Sequence, residues 1–206
     1  MNIVFGNQKG GVGKTTLAIL FANYLAEKNK KVIAIEMDVQ KSIAQTRRYE
    51  LELDETLKNP YEVVYTALND YPKFAAALKN TNVNLVIDLP GKLDDPHLVP
   101  ILKDADVIVC PFDYDLRSFV STSTFASVVK QLDKDKEIIF IPNRIRSNIN
   151  YELKDKVTEK LSLLGHITKP IIERVALKRL STFGITDEQK AIVGKIFDLI
   201  IQKSKI

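Results

Sequence analysis

The chain has 206 residues, 45% of them hydrophobic, and a formal net charge of +4. That length suits one domain with a sizeable core, and the mild positive charge permits an anionic partner without requiring one. A single cysteine, Cys110, excludes a disulfide framework and a four-cysteine metal site, and fits a reducing cytosol.

The opening residues MNIVFGNQKGG lack a basic first region, so no secretory signal is expected. Within them NIVF (2–5) reads as a strand, followed by the glycine-rich stretch GNQKGGVGKTT (6–16) and a helix from Thr15 to about Lys28. KVIAIE (31–36) reads as a second strand, 41–50 as helical, YEVVYT (61–66) as a third strand and KFAAALKN (73–80) as a helix. VNLVIDL (83–89), DVIVCPF (106–112) and EIIFIPN (137–143) follow as further strands. Such near-continuous apolar runs suit a parallel sheet buried on both faces, and their alternation with helices suits βαβ units. The expected fold is α/β: a doubly wound, mainly parallel sheet flanked by helices. With no linker, repeat or low-complexity tract, residues 1–206 read as one domain. Ligands of such folds sit beyond the carboxyl ends of the strands, where the polar punctuation of this chain also falls. No stretch approaches the ~18 apolar residues of a membrane span.

The loop between the first strand and helix is close to the phosphate-binding pattern G-x-x-x-x-G-K-[ST], with Gln8 where the first glycine belongs and an additional lysine at Lys9. Gly10, Gly11 and Gly13 let backbone N–H groups close on an anion, and the helix N-terminus adds its partial positive charge. The cradle is expected to run through Gly10, Gly11, Val12, Gly13, Lys14, Thr15 and Thr16. Lys14 is placed for the terminal phosphates and the Thr15 hydroxyl for Mg²⁺. A dinucleotide site fails on spacing, because its third glycine would fall at Thr16. Asp88 ends the apolar strand LVID as a magnesium-holding carboxylate would, and Gly91 lets backbone approach the γ-phosphate.

KGGVGKTT with Lys9 resembles the deviant Walker A box of the ParA/MinD P-loop ATPases, in particular small ParA-type partition ATPases without an N-terminal helix-turn-helix domain. The match is strong from residue 1 to about 143. The resemblance implies a slow, partner-stimulated, Mg²⁺-dependent ATPase that forms an ATP-sandwich homodimer, with Lys9 reaching the partner's nucleotide. It implies a ParB-like adaptor, nonspecific DNA as carrier, and a cytoplasmic protein that joins the nucleoid when ATP-bound. EMDVQKS (36–42) is similar to the family's switch I, so Asp38 would position the attacking water and join the magnesium site. Glu36 and Val39 depart from the usual aspartate and proline. Asn143, in FIPNR, matches the adenine-contacting asparagine.

For DNA, the candidate surface is Arg174, Lys178 and Arg179, with Arg144, Arg146 and Lys169 as additions; Arg174 and Lys178 would share a face if that segment were α-helical. The alternative is a MinD-like membrane ATPase anchored by KAIVGKIFDLIIQKSKI (190–206), a stretch that equally describes a core-packed terminal helix. A metal-cluster relative would need paired cysteines, whereas Cys110 stands alone in an apolar strand.

Overall fold

The computed structural model describes residues 1–92 and 94–204. Seven strands, β1 (Asn2–Phe5), β2 (Val32–Glu36), β3 (Glu62–Tyr65), β4 (Asn84–Asp88), β5 (Val107–Phe112), β6 (Glu137–Pro142) and β7 (His166–Ile167), form one sheet in the order β3-β2-β4-β1-β5-β6-β7. Every pairing is parallel. The doubly wound sheet anticipated from the sequence is therefore present. The helices are α1 (Lys14–Glu27), α2 (Ser42–Leu53), α3 (Tyr71–Leu78), α4 (Leu98–Asp104), α5 (Leu116–Leu132), α6 (Lys154–Ser162) and α7 (Asp187–Lys203).

Successive strand residues feed opposite layers, as the period of two requires. Val4, Ile87, Ile108 and Phe140 join one core with Phe125 of α5 and Val157 of α6, while Ile3, Phe5, Val107 and Ile139 join the other with α1 and α7. Both faces of β5 are buried along its whole length, which is why its sequence is an unbroken apolar run. Edge strands β3 and β7 depart from that pattern, with residues 62–65 and 166–167 exposed or half-buried.

α1 is wedged between the sheet and α7, so eight consecutive residues, Leu17–Tyr24, and then Leu25 are all buried. The apolar side of α7 closes over it: the Phe197 ring meets Phe21 and Tyr24 edge-on at 5.1 and 5.4 Å between centroids. A capping box between Thr186 and Gln189 starts α7, with Asp187 and Glu188 in the first turn complementing the helix dipole. The C-terminal stretch is thus a core helix as far as Lys203; Lys205 and Ile206 lie outside the described residues.

Helices α4, α5 and α6 and the two-residue strand β7 have no counterpart in the sequence reading. The N-terminus of α5 is capped by Asp115, whose side chain accepts from the Ser118 N–H at 2.8 Å.

Candidate functional site

β1 lies between β4 and β5, so the chain leaves the sheet in opposite directions on its two sides, and a cleft opens beyond its carboxyl end. The glycine-rich loop fills that cleft. Buried Asn7 anchors its start: the side-chain amide donates to Pro111 O at 2.7 Å and Thr122 Oγ1 at 2.9 Å, and its Oδ1 accepts from the Lys9 N–H at 3.0 Å. Gly6 is required by crowding, since an added Cβ would sit 2.6 Å from Phe125 Cζ. Gly11 and Gly13 have φ of +77° and +96°, a region that side chains disfavour. A Cβ on Gly13 would also strike the Asn143 amide.

Three side chains grip carbonyls of this loop. Lys14 Nζ donates to Lys9 O at 3.3 Å, Arg144 Nη1 to Gly11 O at 2.8 Å and Asn143 Nδ2 to Val12 O at 2.8 Å. Among the described residues, the N–H groups of Gly10, Gly11, Val12 and Gly13 have no partner in the protein. With the first N–H groups of α1, they form an open ring of donors suited to an anion.

Beneath this ring the Thr15 hydroxyl donates to Asp88 Oδ2 at 2.6 Å. Asp88 is 1% exposed and its Oδ1 has no partner among the described residues. Desolvation pushes its pKa up to about 7, against the Thr15 hydrogen bond and the Lys14 charge, with Glu36 and Asp38 adding to the rise. Lys14 is nearly buried as well; desolvation lowers its pKa, while Asp88, Cys110 and Asp38 oppose that shift. A hydroxyl and an orphaned buried carboxylate oxygen, next to an open ring of N–H donors, are a donor set that fits Mg²⁺ and a polyphosphate. Mg²⁺ takes few protein ligands and completes its shell with phosphate and water. Gly91 belongs here too: a Cβ on it would lie 3.8 Å from Gln8 O and 3.9 Å from Lys14 Nζ.

Asp38 lies close enough to Lys14 and Asp88 for its charge to act on both. It is half-buried and caps its own turn, accepting from the Gln40 N–H at 3.0 Å. The departure at Glu36 has a structural reason. Helix α2 has no side-chain cap from Lys41, the residue that precedes it. The fully buried Glu36 carboxylate serves instead, accepting from Ile43 N at 2.8 Å and Ala44 N at 3.2 Å. Val39, the second departure, is 74% exposed.

Asn143 stands 131 residues from the carbonyl it holds. With Gly11, Lys14, Thr15, Thr16 and Arg144 it also lines a cavity of about 470 Å³, whose lining includes Ile172, Glu173, Arg174, Leu177, Lys178 and Leu180. A lining that combines apolar Ile172, Leu177 and Leu180 with cationic Lys14 suits a nucleoside joined to phosphates.

This placement corrects the reading of the basic cluster. Residues 175–178 form a short 3₁₀ turn, not an α-helix, so the i,i+4 argument for Arg174 and Lys178 does not apply. Arg174, Lys178 and Arg179 are exposed, but Lys178 Nζ is 3.0 Å from Glu173 Oε1. Glu173 also pairs with Arg146 at 2.9 Å and Arg144 at 3.7 Å. Lys178 and Arg146 hold its pKa down to about 2. Lys169 is exposed on the loop after β7.

The residues missed by sequence reasoning are Asn7, Glu173 and the loop-gripping role of Arg144. Glu173 carried a faint signal as the lone acid in KPIIERVALKR. Asn7 and Arg144 carried none, since their partners lie over one hundred residues away.

A family description, the CobQ/CobB/MinD/ParA nucleotide-binding domain, matches residues 3–186. The chromosome-partitioning ATPase Soj of Treponema pallidum is 35% identical over 92 residues, 45% of this chain and 33% of that protein. The aligned stretch thus spans about a third of that relative. Among solved structures, a plasmid partition protein of Borrelia burgdorferi B31 bound to AMPPNP superposes with a TM-score of 0.75 at 22% identity, covering 98% of both chains. The pNOB8 ParA bound to nonspecific DNA gives 0.65 at 19% identity, covering 98% of this chain and 96% of that one.

Proposed function

The chain belongs to the CobQ/CobB/MinD/ParA nucleotide-binding family, and on that premise we propose that it is a ParA-type partition ATPase that binds Mg²⁺–ATP, dimerises across the nucleotide and hydrolyses it. The family are P-loop ATPases. The observation that carries the reading is the orphaned Asp88 Oδ1, buried beside the Thr15 hydroxyl under an open ring of N–H donors. A buried carboxylate with one oxygen unpartnered is costly, and a divalent cation is a ligand that would offset it.

In this reading the N–H groups of residues 10–13 and the start of α1 hold the β- and γ-phosphates, and Thr15 and Asp88 face the magnesium ion, whose charge would neutralise the phosphates. Lys14 turns from Lys9 O to the phosphates. Asp38 orients the attacking water, and Lys9 serves the nucleotide of the facing subunit. Asn143 and the apolar wall of Ile172, Leu177 and Leu180 receive the adenine. ATP-bound dimers carry two basic clusters on one body, so DNA binding would be nonspecific and salt-sensitive. The expected partners are a second copy of the chain, a ParB-like adaptor and nonspecific DNA, and the expected location is the cytoplasm, on the nucleoid when ATP is bound.

The packing of α7 supports the partition reading over a membrane-associated one. The apolar side of α7, within the stretch considered as a membrane anchor, is spent on α1: Val193, Phe197 and Ile200 are fully buried. Among the described residues no helix is long and apolar enough to cross a membrane.

Nucleotide titration with sizing chromatography tests the proposal. Lys14→Ala should weaken ATP binding by about a hundredfold or more. Lys9→Ala should leave monomer binding within about threefold and remove dimerisation and turnover. A Lys9→Ala variant that dimerises with ATP would sink the shared-site assignment.

A further inference from the structure

We propose that Arg144, held in place by Glu173, is a positioning residue for the phosphate loop: by gripping the Gly11 carbonyl it turns the Val12 N–H toward the phosphate site. The inference rests on the nucleotide-binding reading above and assigns a new part of that site.

A peptide unit is planar and trans, so its C=O and N–H point to opposite sides. The Gly11 carbonyl and the Val12 N–H belong to one such unit. A donor that fixes the carbonyl on one side of the peptide fixes the N–H on the opposite side. Arg144 Nη1 supplies that donor at 2.8 Å. Asn143 does the same for the next unit, holding Val12 O and thereby aiming the Gly13 N–H. Neighbouring residues on the turn after β6 thus set consecutive peptides of a loop in which Gly11 and Gly13, with φ of +77° and +96°, impose little backbone preference of their own.

Arg144 accepts a cost for this position. Its φ is +58°, a left-handed conformation that a long side chain rarely adopts. The surroundings enforce it. Ile145 N donates to Ile171 O at 3.0 Å and Glu173 N to Ile145 O at 2.8 Å, a short parallel bridge that lays Glu173 alongside the turn. The Glu173 carboxylate then receives Arg144 at 3.7 Å from one side and Arg146 and Lys178, at 2.9 and 3.0 Å, from others. Its side chain is 19% exposed, against 53–61% for the cations it gathers. Glu173 therefore acts as a fixed post, Arg144 as the arm and the Gly11–Val12 peptide as what the arm holds.

The test compares wild type with Arg144→Met, Arg144→Lys and Glu173→Gln, using ATP, ADP, inorganic pyrophosphate and adenosine as calorimetric probes over a range of salt. Arg144→Met should weaken all three phosphate ligands by about tenfold and leave adenosine unchanged. Arg144→Lys should recover most of that loss, because one N–H suffices for the carbonyl, and Glu173→Gln should lose about twofold to threefold. The ratio of wild type to Arg144→Met should not depend on salt, since the grip is on a neutral carbonyl. In the nucleotide-free protein the Val12 amide resonance should shift in Arg144→Met while the melting temperature stays the same. A deficit that vanishes at high salt would mean that Arg144 touches phosphate as a charge, and would overturn the positioning role. ATP binding unchanged in Arg144→Met would overturn it as well. If wild type itself binds neither ATP nor pyrophosphate, the nucleotide reading falls, and the positioning role with it.

Discussion

Two carboxylates border the same cleft under opposite conditions. Asp88 is buried, keeps one oxygen without a partner and has its pKa driven up to about 7 by desolvation. Glu173 lies near the surface, gathers three cations and has its pKa held down to about 2. The first is an electrostatic deficit that a folded protein keeps only where a ligand completes it. The second is already satisfied within the chain, and serves to arrange its neighbours. A carboxylate near a phosphate site therefore reads as ligand-facing when it is under-satisfied, and as structural when it is saturated.

The largest expected effect comes from removing the deficit. Asp88→Asn should lower Mg²⁺-dependent ATP turnover by about a hundredfold or more, measured as phosphate release. In the nucleotide-free protein the same change should raise stability by about 1–2 kcal/mol in denaturant titration, because it removes a desolvated charge and keeps an acceptor for the Thr15 hydroxyl. A destabilised Asp88→Asn would show that Asp88 is satisfied in the free chain, and the contrast with Glu173 would collapse.

Gly13→Ala should have the next largest effect. The new Cβ meets the Asn143 amide at a φ of +96°, so the loop must shift or release Asn143. ATP affinity should fall by about tenfold to thirtyfold in a fluorescent-nucleotide displacement assay. Gly10 offers the control. It has no positive φ and an added Cβ meets nothing, so Gly10→Val should leave ATP binding intact and, in the sandwich reading, block dimerisation.

The smallest effect belongs to the saturated side. Replacing Arg174 and Lys178 together with Glu should reduce gel-shift affinity for random-sequence duplex by about tenfold at low salt, in the presence of a slowly hydrolysed ATP analogue. Both residues also line the nucleotide cavity, so ATP affinity has to be measured on the same variant. Equal losses of ATP and DNA binding would assign the cluster to the nucleotide. A loss confined to DNA would keep it as the carrier surface.

The main strands, the loop and its following helix, and the placement of Asp88 and Asp38 at strand ends were all legible in the sequence, because each is a short-range property. Apolar runs mark strands buried on both faces, and Gly-x-Gly-Lys-Thr between a strand and a helix points to a phosphate loop. The helix α5 was not legible. SFVSTSTFASVV is rich in serine, threonine and valine, residues with weak helix propensity, and packing of Phe125, Ala126 and Val129 on the sheet decides its state. The same limit applied to 174–179, where a shared face for Arg174 and Lys178 depended on an α-helix and the chain forms a 3₁₀ turn at 175–178.

Sequence by itself singled out the candidate site residues: the glycines, Lys14, Thr15, Asp38 and Asp88. Only the tertiary structure decided how they are held. Asn7 is tied to Pro111 and Thr122, Glu36 caps a helix six residues beyond itself, and Arg144 and Asn143 grip peptides more than 130 residues away. The reason is physical. A propensity or a motif acts through neighbours in the chain and leaves a pattern there, whereas a hydrogen bond from one strand end to another depends on which strands lie side by side. In this sheet β1 lies beside β4 and β5, and that adjacency has no signature in any stretch of sequence.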